Sequence, residues 1–447
     1  MPFMKLANNY WIKSGLINLL QNFSGVFFGF ASFWVLVRVL SPEHYGAWTL
    51  FLSTVTIMEM IRNGLIQNAL IKFMAAASSE EQKQILTASF SITGIVTFIC
   101  IAACVGCARW LSHIWKTPEL ETMFYLYSFS FLASAVLTQF NCIEQAHLQF
   151  KGVFVTNVLR QLIFFSYILV CIVFKIPARL IWLVYMQMIS IVVVTIISWF
   201  YVKPYLHFSK TFSKEWGKKL LNYGKYAFGT SVSSILSGTL DQMMLGAMLS
   251  PAASGAFNIA VRLINLIDIP TNAMATIVFP QSSRRNDADG AHAVKYLYER
   301  SVGAIIAILV PGIIFVFLFS DLVIHIIAGS RYEKSIPLLR VALLYAIFIP
   351  YGRQAGTILD SIGKTKITFI MVVITASLNI GLNYLFINSL GVMGAAWATL
   401  CSNIVGFIMA QYVLHKALQT SIINPWLYAW QFYVQFFNTY ITRKIKK

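Results

Sequence analysis

The chain has 447 residues, 58% of them hydrophobic and only 11% charged, with a formal net charge of +18. Soluble domains carry roughly 25% charged residues, and a single core stops growing at about 250–300 residues. This much apolar surface therefore excludes an ordinary water-soluble fold. The basic excess could suit a nucleic acid. Its placement argues otherwise, because the Lys and Arg residues fall in short segments between long apolar runs, as in a membrane protein oriented by its cytoplasmic loops.

The apolar runs are about 20 residues long or more, enough for a spanning helix, and they do not alternate in polarity as barrel strands do. Only helices and closed barrels satisfy their backbone groups in lipid. The runs thus predict an all-α polytopic membrane protein with twelve spans. In chain order these cover 15–39, 46–70, 86–108, 122–146, 153–174, 179–202, 227–249, 253–280, 301–326, 337–359, 367–388 and 392–415. The first follows Lys5 and Lys13. It is too long for a signal-peptide core and lacks a small-residue cleavage site, so it reads as a retained span. Cys100, Cys104 and Cys107 recur at helical spacing in the third span. They read as small packing residues, not metal ligands.

With the N-terminus inside, cytoplasmic segments and span ends hold 24 of the 34 Lys and Arg residues and external segments hold eight, leaving Arg62 and Arg262 within spans. That bias predicts both termini on the cytoplasmic side. After Thr420, residues 422–441 carry Trp426, Tyr428, Trp430, Tyr433 and Tyr440, followed by Arg443, Lys444, Lys446 and Lys447. Interfacial aromatics and basic residues favour a helix lying on the inner leaflet over a thirteenth span.

The second span opens with Leu40-Ser41-Pro42-Glu43-His44-Tyr45-Gly46-Ala47-Trp48, and the eighth with Leu249-Ser250-Pro251-Ala252-Ala253-Ser254-Gly255-Ala256-Phe257. Ser-Pro starts a helix, with Ser as N-cap and Pro in the first turn. Gly permits close approach of a neighbouring helix. The two copies occupy the same place in successive six-span halves, and Asn63 and Asn272 also correspond. This predicts a parallel duplication. The expected organisation is a six-helix bundle over 1–208, a cytoplasmic connector over 209–226, a second six-helix bundle over 227–419, and an aromatic and basic interfacial tail over 420–447. The connector region from Lys203 to Lys225 reads as amphipathic, with Trp216, Leu220 and Leu221 on its apolar side. A solvated linker and a lipid-binding segment both fit it.

Arg38-Val39-Leu40-Ser41-Pro42-Glu43-His44-Tyr45-Gly46 resembles the Arg-x-Leu-(Gly/Ser)-Pro-Glu-x-Tyr-Gly signature of Wzx-type polysaccharide flippases. Arg62-Asn63-Gly64-Leu65, Gly255-Ala256-Phe257-Asn258-Ile259-Ala260-Val261-Arg262-Leu263 with Pro280, Ile362-Gly363-Lys364-Thr365-Lys366 and Gly391-Val392-Met393-Gly394-Ala395-Ala396-Trp397 are similar to further motifs of that family, in the same order. The resemblance implies the fold of the multidrug/oligosaccharidyl-lipid/polysaccharide exporter superfamily, with two six-helix bundles in a V around a central cavity that work by alternating access. It implies a cargo of undecaprenyl-pyrophosphate carrying an oligosaccharide, such as an O-antigen, capsule or exopolysaccharide repeat unit. That cargo would move from the inner to the outer leaflet of a bacterial plasma membrane, alongside a polysaccharide polymerase and export machinery. Nucleic acid is not an expected partner, and no bound cofactor is expected beyond coupling to H+ or Na+.

Charges within the hydrocarbon are costly and mark pathways or partners. Arg62, Arg160 and Arg262 are the candidate cations for a pyrophosphate headgroup, whose oxygens suit the two-pronged donor geometry of Arg. Each could instead pair with a carboxylate, with Glu59 three residues before Arg62 and Asp268 six after Arg262. Asp241, within the seventh span, is the candidate ion-coupling residue, with a buried hydrogen-bonded Asp as the alternative. Two relatives in transport remain open: a cation-coupled multidrug exporter, against which the basic excess weighs, and a peptidoglycan-precursor flippase. A membrane-embedded glycan polymerase or ligase would need a large external module, and the external segments 109–121 and 327–336 are short. The sequence contains no P-loop, metal-ligand spacing or nucleophile elbow, so a transporter is expected and not an enzyme.

Overall fold

The computed structural model describes residues 2–288 and 290–437; for residues 2–19, 22, 76, 226–227, 229–238, 280, 285–288 and 436–437 the backbone alone is described. The described elements are α-helices joined by short turns: α1 (Pro2–Val39), α2 (Pro42–Ala76), α3 (Ser79–Ile114), α4 (Glu119–Ala146), α5 (Lys151–Val173), α6 (Leu180–Val202), α7 (Lys214–Met248), α8 (Pro251–Ile264), α9 (Asp268–Ala288), α10 (Gly290–Leu318), α11 (Ser320–Ile327), α12 (Ser335–Ala346), α13 (Ile349–Ser361), α14 (Thr365–Leu390), α15 (Val392–Leu418) and α16 (Asn424–Phe437). Among the described residues nine spans are long and apolar enough to cross a bilayer: α3, α4, α5, α6, α8 with α9, α10, α12 with α13, α14 and α15. The remaining expected spans fall on α1, whose described apolar stretch is Phe23–Val39, and on α2 and α7, each 35 residues long and more polar.

Local chemistry starts the helices where the sequence marks them. Ser41 caps α2, its hydroxyl accepting from the His44 N–H at 3.2 Å, and Pro42 fills the first helical position. Ser78 and Glu81 form a capping box at α3, with the Ser78 N–H donating to Glu81 Oε2 at 2.9 Å. Glu144, near the end of α4, does the same work from a distance. It is buried and accepts from the Val153 N–H at 2.7 Å, placing a carboxylate against the start of α5. A Cβ on Gly152 would run into that carboxylate. Replacing Glu144 with Ala leaves the Val153 donor buried without a partner, and is expected to cost about 1–3 kcal/mol in thermal unfolding of the detergent-solubilised protein.

Three of the expected spans are interrupted. The span 253–280 breaks at a single 3₁₀ turn, Asn265–Ile267, between α8 and α9, and Pro270 follows in the first turn of α9. The span 337–359 breaks at Ile347 and Phe348, just before Pro350 starts α13. Proline fits a first turn but disfavours helix in the residue before it. Likewise 301–326 divides into α10 and α11 at Phe319. Broken backbone at membrane depth is tolerated where protein or a cavity surrounds it.

The chain divides into two compact units. Unit 1 comprises Met1–Ile235 with Ser250–Ala252, and unit 2 comprises Leu236–Leu249 with Ala253–Lys447. In unit 1, α4 packs against α2, α3 and α6, and α5 against α1 and α6. Its core includes Ile66, Leu70 and Met74 of α2, Ile85 and Ile92 of α3, Phe140 and Ile143 of α4, Val202 of α6 and Leu220 of α7. The two Ser-Pro copies meet here, since any Cβ on Gly46 would strike the Pro251 carbonyl. In unit 2, α10 packs against α9, α13 and α16, while α15 packs against α12, α13 and α14. Its core holds Val278, Tyr298, Val302, Ile306, Tyr351, Ile358, Leu414 and Ala429.

Two features depart from the expected outline. The connector is not separate from the seventh span, because α7 runs unbroken from Lys214 to Met248. The start of the tail, α16, does not lie apart on a surface but packs along α10. A Cβ on Gly303 would meet Pro425 and Tyr428, Tyr433 donates to the Ala307 carbonyl, and buried Glu299 accepts from the Ser421 N–H and the Asn424 side chain, both at 2.8 Å. Contacts that advance together along both helices make α16 a parallel partner of the apolar part of α10. Residues 438–447, with their four basic side chains, lie outside the described residues, as do the side chains of Lys5 and Lys13.

Candidate functional site

Each unit encloses a cluster of polar side chains that its apolar sequence does not otherwise need. In unit 1 the cluster forms between α2 and α4. Arg62 is 1% exposed. Its guanidinium donates to the Phe131 carbonyl at 2.9 Å, to Ser134 Oγ at 3.0 Å and to Asn63 Oδ1 at 3.1 Å. Ser134 in turn donates to Glu59 Oε1 at 2.8 Å, which also accepts from Tyr127 at 3.0 Å. The expected Glu59 partner is therefore reached through a serine hydroxyl, and Arg62 lies inside unit 1 instead of facing an open cavity. The reason is geometric. Glu59 and Arg62 lie one turn apart on α2, both toward α4, and α4 supplies a carbonyl and two hydroxyls at the matching height. Arg160 sits half-buried on α5, the helix that follows α4.

In unit 2 the cluster forms around Asp241, which is 4% exposed on α7. Asn383 of α14 donates to Asp241 Oδ1 at 2.7 Å, and Thr399 of α15 donates to Oδ2 at 2.6 Å. The same Asn383 amide donates to Asn379 Oδ1 at 3.0 Å, one turn earlier on α14. Asn383 Oδ1 is buried with no hydrogen-bond partner. The Asn383 amide nitrogen and the Thr399 hydroxyl thus hold the two oxygens of one carboxylate, with Asn379 Oδ1 on the same amide. Oxygens of this kind suit a proton or an alkali cation. The sequence reading found Asp241 but missed Asn379, Asn383 and Thr399. The Asn pair at i and i+4 within an apolar run was the available signal.

The other predicted residue of unit 2, Arg262, is exposed on the last turn of α8, directly before the break at Asn265–Ile267. Asp268, at the start of α9 beyond the break, lies 3.9 Å from Arg353 of α13. Gln354, beside Arg353, is fully buried and donates to the Thr271 carbonyl at 3.1 Å. Within unit 2 the structure therefore brings the α9 start and α13 together with charges on both, near the end of α8. Arg62, Arg160 and Asp241 are not members of that group.

Among the described residues the chain is an all-helical polytopic membrane protein in two units, each holding ionisable groups inside an apolar interior. The chain belongs to the polysaccharide biosynthesis protein family, whose model matches residues 35–337. This agrees with the resemblance carried by its motifs. It is 25% identical over 201 residues to the probable low-salt glycan biosynthesis flippase Agl15 of Haloferax volcanii, an alignment covering 44% of this chain and 42% of that protein. The chain thus spans about two-fifths of the length of the curated relatives it matches. Among solved structures it resembles an inward-facing multidrug resistance MATE family transporter of the MOP superfamily, with a TM-score of 0.75 and 15% identity over 89% of this chain and 96% of the other. It also resembles the lipid II flippase MurJ in its inward closed conformation, with a TM-score of 0.74 and 15% identity over 96% and 93%. At that identity these likenesses concern the fold.

Proposed function

We propose that the protein is a flippase for a polyprenyl-pyrophosphate-linked oligosaccharide, such as the undecaprenyl-linked repeat unit of a surface polysaccharide, carried from the inner to the outer leaflet of the plasma membrane by alternating access. The observation that carries this reading is the family match, joined to exposed Arg262 beside a broken membrane helix. A pyrophosphate is a dense anion, and charge-assisted bonds from a guanidinium are the natural means of holding it. Arg262 is its first-choice cation, and half-buried Arg160 a second. Arg62, with three donors committed to protein acceptors, supports the unit that would carry the cargo. The bias of Lys and Arg along the chain supports cytoplasmic termini. Asp241 with Asn379, Asn383 and Thr399 is the proposed seat of the coupling H+ or Na+, which would supply the driving force while the cargo cations supply recognition. A polysaccharide polymerase and export machinery are the expected downstream partners.

The test uses the purified protein in vesicles with a fluorescent lipid-linked oligosaccharide, scored by the fraction that becomes accessible to an impermeant reagent on the opposite leaflet. Arg262→Ala is expected to lower flipping about 10- to 100-fold, the loss of one charge-assisted contact, at normal protein level. Unchanged flipping by Arg262→Ala would remove Arg262 from the cargo site. Failure of the wild-type protein to flip the lipid-linked glycan, with transport of a cationic drug instead, would favour the multidrug exporter reading.

A further inference from the structure

We propose that the segment from Lys203 to Lys225 is a docking surface for the anionic phospholipid headgroups of the leaflet it faces. The segment carries Lys203, Lys210, Lys214, Lys218, Lys219 and Lys225 against a single acidic residue, Glu215, and that carboxylate is paired with Lys219 at 2.7 Å. All six lysines are exposed. Four to eight cations beside a membrane span make a surface that anionic headgroups recognise. Charge alone would also fit a solvated linker, so the decisive features are the shape and the apolar groups.

The surface is built. The loop before α7 is fastened to α3, with Ser209 N–H donating to Thr87 Oγ1 at 2.9 Å and Thr87 donating back to the Ser209 carbonyl at 3.3 Å. The first turns of α7 are fastened to α2. Leu220 is fully buried in the unit 1 core, and Gly224 approaches the Leu65 carbonyl so closely that no Cβ fits. Trp216 and Tyr223 both stand edge-on to Phe73, at 5.9 and 5.7 Å. The inward face is therefore Gly217, Leu220 and Gly224. Leu221, expected on the apolar side from sequence, points out instead.

That outward face is not merely polar. Leu221 is 40% exposed, and Phe208 and Phe212, which pack by one side against Phe90 and Gly217, are still 50% and 48% exposed beside the lysines. A solvated linker has no use for three large apolar side chains held this exposed. An interfacial helix does, because rings and a leucine enter the headgroup layer while lysine stems run up to the phosphates. An acidic partner protein would meet the same charges. The position argues for lipid, since Lys203 follows directly on the membrane span α6 and Lys219 and Lys72 lie over the Trp216 and Tyr223 rings at 4.4 and 4.3 Å, where interfacial aromatics sit.

The test is equilibrium binding of phosphatidylglycerol against phosphatidylcholine, each spin-labelled, to the purified full-length protein in neutral detergent. It needs no transport, so its outcome is independent of the cargo. Wild type is expected to prefer phosphatidylglycerol. The triple variant K210Q, K214Q and K218Q is expected to lose about a hundredfold of that preference, roughly fivefold for each lysine. The wild-type preference should also collapse at about 1 M salt, where the screening length falls to about 3 Å. This second measurement stands even if the variant does not fold. Equal affinity for the two lipids in wild type, a preference retained by the triple variant, or a preference indifferent to salt would each overturn the proposal.

Discussion

Replacing Arg62 with Ala is expected to destabilise the protein by about 3–5 kcal/mol, the cost of breaking a buried charge network from one side. The Phe131 carbonyl and Ser134 hydroxyl would each lose a donor. The Glu59 carboxylate would lose the positive charge that reaches it through Ser134. A cavity the size of a large side chain would open beside Phe131. Arg62→Lys should recover only part of the loss, because an ammonium cannot span the carbonyl and the hydroxyl as a planar fork does. Unfolding of the solubilised protein in denaturant measures the effect. An Arg62→Ala protein as stable as wild type, but unable to move its cargo, would return Arg62 to the role of a cargo ligand.

Asp241→Asn should have its large effect on energetics of transport. Asn matches Asp in size and keeps one acceptor for Asn383 or Thr399, so the packing of α7, α14 and α15 survives. It has no charge to attract a cation and no carboxylate to take a proton. Flipping in vesicles under an imposed Na+ or H+ gradient is expected to fall to the rate without a gradient, a loss of about tenfold or more if the gradient supplies even about 1.4 kcal/mol. Asp241→Ala should be worse in a different way. It removes one acceptor from Asn383 and one from Thr399, which keep Asn379 and the Ala395 carbonyl, and opens space beside them, with a stability cost of about 1–3 kcal/mol in all. If Asp241→Asn retains the full gradient dependence of wild type, Asp241 is a structural carboxylate and coupling resides elsewhere.

What could be read in the sequence is what is encoded locally. Ser41-Pro42 starts a helix because the cap and the proline act within one turn, and the apolar runs have bilayer length whatever they pack against. The breaks at Asn265–Ile267 and Ile347–Phe348 were also within reach, since Pro270 and Pro350 mark them, but a hydropathy average runs straight across a single turn. The polar clusters were not legible. Arg62 finds its partners 69 and 72 residues later on α4, and Asp241 finds its own 142 and 158 residues later on α14 and α15. One sequence fixes which residues are polar, but the register of one helix against another decides which of them meet. Leu221 makes the same point at small scale. Rotation of α7 about its axis, set by Gly217 and Gly224 against their neighbours, put Leu220 in the core and Leu221 outside.

The clasp between Glu299 and the start of α16 bears on where this polypeptide can be shortened or tagged. Ending translation after Leu418 would remove both donors that hydrogen-bond a buried carboxylate and strip the cover from Gly303 and Ala307, so such a protein should be less abundant in cells. Appending an affinity handle beyond residue 447 leaves the clasp untouched. The difference in cellular abundance between the two versions measures what the contact of α16 with α10 contributes.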